Sequence, residues 1–341
     1  MATLEQQLIS AAQTASWTSF NSLIVGATAA QISAIGTAGW NTIMLDIGTG
    51  AGMAATSPTS ASFTTTMTNF FKAAGAYVDG THVVQALQTI ATDSANTQKD
   101  HLSVEATVIM NTMPASLVSA VSQSSLGTLL NDIGNNQLNS AVAATSFNST
   151  IASFTAKFGT HADVNSIVST AAQIATTDSM SQEDHLNAVR TLLAASPANI
   201  SMVSQQNLNF LLNDIANNEL NPTVTSTELN NTIAAYTAKY GTYSDVNNIV
   251  NAAAQLATND SMSQEDHLNA VRTLLAASPT NIAMVSQQNL NSLLNDIVNN
   301  ELNPTVTATE LNNTIAAYTS WLTESVVAIW AAALTMLFTS E

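Results

Sequence analysis

The chain has 341 residues, a formal net charge of -17 and no cysteine. Only six residues are Lys or Arg, which excludes a nucleic-acid backbone as partner and argues against polybasic attachment to anionic lipid, because both draw their affinity from clustered positive charge. A hydrophobic content of 46% is that of a folded chain, and without thiols neither a disulfide framework nor thiolate metal chemistry is available.

The opening stretch Met1–Phe71 carries two charges, Glu5 and Asp46. No basic stretch opens the chain, so no secretory signal peptide is expected. Phe20–Trp40 is uncharged, but Asn21, Ser22, Gln31, Ser33 and three glycines interrupt it. It reads as a packed helical segment rather than a membrane span. The "GTGAG" run at Gly48–Gly52 lacks the Lys-Ser/Thr pair and a preceding strand, so no phosphate loop is expected.

Further along, the sequence repeats itself. Asp163–Thr237 and Asp245–Thr319 align without a gap and with ten differences. "LLNDI" at Leu129–Ile133 returns at Leu211–Ile215 and Leu293–Ile297, and the pair Asp100-His101 returns as Asp184-His185 and Asp266-His267. A fainter copy precedes these: Ile32–Gly48 lines up with Val118–Gly134, and Leu8–Ala15 with Ile167–Ala175. That first copy lacks the Asp-Ser-Met-Ser-Gln-Glu-Asp-His stretch, as a terminal repeat can. The expected organisation is a degenerate first repeat over 1–79, repeats over 80–162, 163–244 and 245–320, and an apolar C-terminal helix over 321–341.

Each unit reads as helices. In the third, Val164, Ile167, Val168, Ala171 and Ile174 form one apolar stripe. A second helix follows a loose capping box at Ser181 and Asp184, carries Leu186, Val189, Leu192 and Leu193, and stops before Pro197. A third begins at Ser204 with Leu208, Leu211, Leu212 and Ile215. Thr225 and Glu228 form a capping box for a fourth, with Leu229, Ile233 and Tyr236, and Gly241 is its expected stop. No stretch alternates as a strand does. The predicted fold is all-α: tandem helical repeats, about four units of about 82 residues, stacked as an α-solenoid-like or helical-bundle array.

Candidates for chemistry are few. His101, His185 and His267 recur beside acids, yet adjacent residues on a helix point about 100° apart and cannot easily share one ion. A hydrogen-bonded structural histidine is expected at each. Asp132, Asp214 and Asp296 end apolar stripes and are expected to bond to a neighbouring helix end or loop. No nucleophile motif is present, so no catalytic residue, cofactor site or metal site is assigned. Phe210, equivalent to Thr128 and Ser292, falls opposite its helix's leucine stripe and is expected to be exposed. The C-terminal helix carries Trp321, Val327, Ile329, Trp330, Leu334 and Phe338, where a soluble cap would be polar. With Phe210, these form the expected assembly interface.

The function expected from this pattern is that of a non-enzymatic structural protein whose partner is itself, forming a surface layer, filament or matrix. Acidity, low Lys and abundant Ala, Thr, Asn and Ser fit a protein exported to the cell surface or medium without a Sec signal peptide. The alternative is a membrane- or interface-active protein, pore-forming or surfactant-like, that uses its C-terminal helix.

Overall fold

The computed structural model describes residues 2–53, 60–92, 101–139, 141–176, 185–221, 224–258, 267–277, 279–300 and 306–339. Among the described residues there is no strand, and the chain is all-α. The helices are α1 (Leu4–Gln13), α2 (Trp17–Gly26), α3 (Ala29–Met53), α4 (Ser60–Ala74), α5 (Gly80–Thr92), α6 (Thr107–Thr112), α7 (Gln123–Asn135) and α8 (Ala144–Phe158). They continue as α9 (Val164–Ala175), α10 (His185–Leu193), α11 (Gln205–Asn217), α12 (Ser226–Tyr240), α13 (Val246–Thr258), α14 (His267–Leu275), α15 (Gln287–Asn299) and α16 (Ala308–Thr339).

The apolar stripes of the sequence are the buried faces. Val164, Ile167, Val168, Ala171 and Ile174 of α9 are all fully buried, as are Leu208, Leu211, Leu212 and Ile215 of α11. The polar side chains that start these helices do so through the main chain. Ser122, Ser204 and Ser286 each accept from the amide three residues on, which satisfies one of the amides a helix start leaves open. Thr225 and Glu228 form the expected capping box. The loose box at Ser181 and Asp184 lies outside the described residues.

The chain divides into two compact units, one of Met1–Thr170 with Ala195–Ile200, the other of Ala171–Ala194 with Ser201–Glu341. In the first unit the helices pack in two rows, α1–α3–α5–α7 and α2–α4–α6–α8, each helix against the next in its row. Aromatic side chains fill the space between α2, α3 and α4: Trp17 meets Phe63 edge-on at 4.9 Å, and Trp40 meets Phe70 at 5.9 Å. Of the Phe20–Trp40 segment, Phe20, Ile24, Ile32 and Trp40 are core, while most of its other side chains are exposed. Gly36 (φ 68°) kinks α3 in a conformation that a side chain would strain. The Gly-rich run is the C-terminal part of α3. A methyl group on Gly50 would run into the carbonyl oxygen of Ala12, and one on Gly48 would lie 2.7 Å from Cα of Ala86. These glycines let α3 approach α1 and α5.

Within the second unit the rows are α10–α12–α14–α16 and α11–α13–α15. The expected boundary at 320/321 falls inside α16, which runs unbroken. The helices before it stop at Gly159 and Gly241, but the equivalent position in α16 is Thr323, and nothing there ends the helix. Gly241 itself is right-handed (φ -53°). It is favoured by space rather than by a left-handed turn, since an added Cβ would lie 3.2 Å from that of Ala277.

One irregularity has a sequence cause. Pro114 lies thirteen positions after His101, whereas Pro197 lies twelve after His185 and Pro279 twelve after His267. The additional residue is absorbed as a π-helical turn over Leu102–Ala106, the usual result of inserting one residue into a helix.

Candidate functional site

The recurring polar residues converge on buried asparagines. In the second unit the side-chain nitrogen of Asn218 donates to the main-chain oxygens of Ala175 (2.8 Å) and Asp214 (2.9 Å). Its Oδ1 lies 2.6 Å from Nε2 of His185. Both amide hydrogens go to carbonyls, so Oδ1 can only accept, and His185 must carry its proton on Nε2. One asparagine thereby ties the end of α9, the last turn of α11 and the start of α10 together. Asn300 repeats the arrangement with Ala257 (2.7 Å), Asp296 (2.9 Å) and His267 (2.8 Å). In the first unit Asn136 donates to Ala91 and Asp132 at 2.8 and 2.9 Å. His101 is fully buried, like the other two histidines.

The histidines thus stand at helix starts as buried hydrogen-bonding groups, as expected for His185 and His267. Their sequence neighbours Asp100, Asp184 and Asp266 lie outside the described residues. Asp132, Asp214 and Asp296 differ from the expectation. Their carboxylates make no hydrogen bond among the described residues; their main-chain oxygens are what the asparagines hold. Partial burial raises all three carboxyls above the usual range, that of Asp214 to about 6.

The positive charges are likewise directed at the main chain. Arg190 Nη1 lies 3.3 Å from Glu228 O and 3.2 Å from Thr232 Oγ1. Arg272 makes the same pair of contacts with Glu310 and Thr314 at 3.4 and 3.0 Å. In the first unit Thr107 takes the arginine's place, counting back from the proline, and bonds Thr150, the equivalent of Thr232, at 2.9 Å. Lys157 donates to Met113 O at 2.6 Å, and burial lowers the pKa of its ammonium. At the equivalent position in the last copy, Trp321 donates its indole N–H to Ala277 O at 3.3 Å.

Trp321 is 2% exposed. It belongs to the interior of the second unit, a correction to its expected place in an assembly interface. Its apolar bulk and single donor suit a slot that ends on a carbonyl. Val327 is exposed, as is Phe210 at 55%. Ile329, Trp330, Leu334 and Phe338 belong to α16, but their side chains lie outside those described. Other large apolar residues are exposed at the repeat spacing: Leu138 with Leu220, and Met202 with Met284, all on short 3-10 turns flanking α7, α11 and α15.

The asparagines escaped the sequence reading. The available signal was the Asn-Asn pair that comes after each "LLNDI" helix, unchanged in three copies while its surroundings vary. Among the described residues no three His, Asp or Glu side chains come together in a way that could hold a metal ion. No described helix is long and apolar enough to cross a membrane. Compared with known proteins, the chain matches no family model, no curated protein and no solved structure.

Proposed function

We propose that the chain is a tandem array of four helical units of about 82 residues, the first atypical, and that its role is structural. On this reading it is a non-enzymatic protein, exported without a Sec signal peptide, that assembles with copies of itself through apolar ends into a filament, layer or matrix. The observation that carries it is the repetition of one internal framework at the sequence period. The same asparagine, histidine and arginine bonds recur from one copy to the next, and their partners are mostly main-chain carbonyls. Polar groups used in this way hold helices in register. Duplication then extends length and surface without adding a reactive centre. Exposed apolar side chains that recur at the same spacing support contact with other protein surfaces.

The test has two arms. The purified protein is imaged alone by negative-stain electron microscopy, and a second sample is mixed with dye-loaded liposomes. Ordered polymers without dye release are expected. Rapid release by single molecules, with no polymer, would replace this reading by the interface-active one.

A further inference from the structure

Without cysteine, the sulfur of this chain is carried by its 11 methionines. Those whose side chains are described fall into two sets. Met44, Met67, Met110 and Met113 are 0–2% exposed, whereas Met202 and Met284 are 71% and 72% exposed. The exposed pair occupy one position of the repeat, where the second copy has Ala120.

Each of the two closes a 3-10 turn, Ile200–Met202 or Ile282–Met284, in which no residue is buried. The main chain beside Met284 is nonetheless held. Its carbonyl oxygen accepts from Asn247 Nδ2 at 3.3 Å. Asn247 Oδ1 accepts from the amide of Ser286 at 2.7 Å and from Asn289 Nδ2 at 3.3 Å. One asparagine of α13 thus fastens both the turn and the start of α15. None of these bonds involves the thioether, so the sulfur can change its chemistry without loosening the turn.

We propose that Met202 and Met284 are modification sites for two-electron oxidants of the peroxide class, and that the fold tolerates their sulfoxides. A thioether needs no ionisation to react, so access decides which methionine is oxidised. One peroxide oxygen bonds to sulfur as the O–O bond breaks. Sulfur gives up two electrons, and the other oxygen leaves as water with both protons. The product is a polar acceptor. In a core it disrupts packing, whereas on these turns it is placed in water. The four buried methionines react only when the structure around them opens. The inference stands on exposure and geometry and does not depend on the assembly reading.

To test this, the unmodified chain in dilute, low-salt buffer is treated with hydrogen peroxide, and sulfoxide at each methionine is followed by peptide mass spectrometry. Met202 and Met284 should oxidise at least about tenfold faster than Met44, Met67, Met110 and Met113, and the gap should close in urea. A chain carrying Met202→Leu and Met284→Leu should take up two oxygen atoms fewer over the same interval. The chain oxidised at the pair should keep its circular dichroism spectrum and melt within about 2 °C of the parent. Oxidation of Met202 and Met284 as slow as that of the buried four would overturn the assignment. A loss of helix content, or a larger fall in melting temperature, that the substituted chain escapes would overturn the tolerance of the fold.

Discussion

Asn218 is the residue on which the second unit's internal bonding depends most. Replacing it by Ala leaves two carbonyls and an imidazole N–H buried without partners. Each such loss costs about 1–3 kcal/mol, and relaxation recovers part of it, so urea unfolding should show a loss of about 2–4 kcal/mol. A loss under about 0.5 kcal/mol would mean the bonds are not formed. Tyr240 presents the opposite case. Its ring is fully buried, its hydroxyl has no partner among the described residues, and burial pushes its pKa up to about 12. The equivalent residue in the second copy is Phe158. Tyr240→Phe should therefore stabilise by up to about 1 kcal/mol; a marked loss would reveal a hidden partner. Asp214 supplies a pH dependence. Its carboxyl is raised from 3.8 to about 6 by burial, so the folded state favours the protonated form. Its contribution to stability is fully present below about 4 and is lost as pH rises through about 6. Asp214→Asn should melt higher than the parent at pH 7 and show a flatter profile between pH 4 and 6. An unchanged slope would contradict this. None of these roles could be read locally. The partners of Asn218 lie 33 and 43 residues away and meet it only once the helices pack, whereas the exposure of Phe210 could be read from its angle to the leucine stripe on a single helix.

Among the elements, α9 was legible from its stripe, α11 from its stripe and its serine start, and α12 from stripe and capping box together. The end of the chain was not, because an apolar run does not say which of its residues turn inward. α16 begins as the fourth helix of its copy and continues because Thr323 stands where Gly241 ends α12. Trp321 is consequently an anchor of the second unit, and Trp321→Ala should cost about 3–5 kcal/mol. A chain ending at Ala328 should keep its cooperative melt, whereas one ending at Ser320 should melt well below it. If both truncations melt with the parent, the indole is not in the core. The tight approach of α3 to α1 makes a further demand on sequence. Gly50→Ala should destabilise by about 1–3 kcal/mol, because the added methyl meets main chain rather than a side chain that could move aside.

Over the whole molecule, the charge balance bears on the proposed assembly. Lys157, Arg190 and Arg272 are engaged with main-chain oxygens, which leaves the surface with few cations to offset 23 acidic side chains. Mutual repulsion should therefore oppose association in dilute buffer and relax as salt shortens the Debye length from about 30 Å at 0.01 M to about 8 Å at 0.15 M. The proposed assembly then requires apolar burial between copies to exceed the cost of association. The measurement that bears most directly on the proposed structural role is sedimentation velocity of the unmodified chain across protein concentration at low and high salt. A self-assembling structural protein predicts a distribution that moves to larger species with concentration, and more steeply at 0.5 M salt than at 0.01 M. A single sharp monomer boundary under every condition would contradict it.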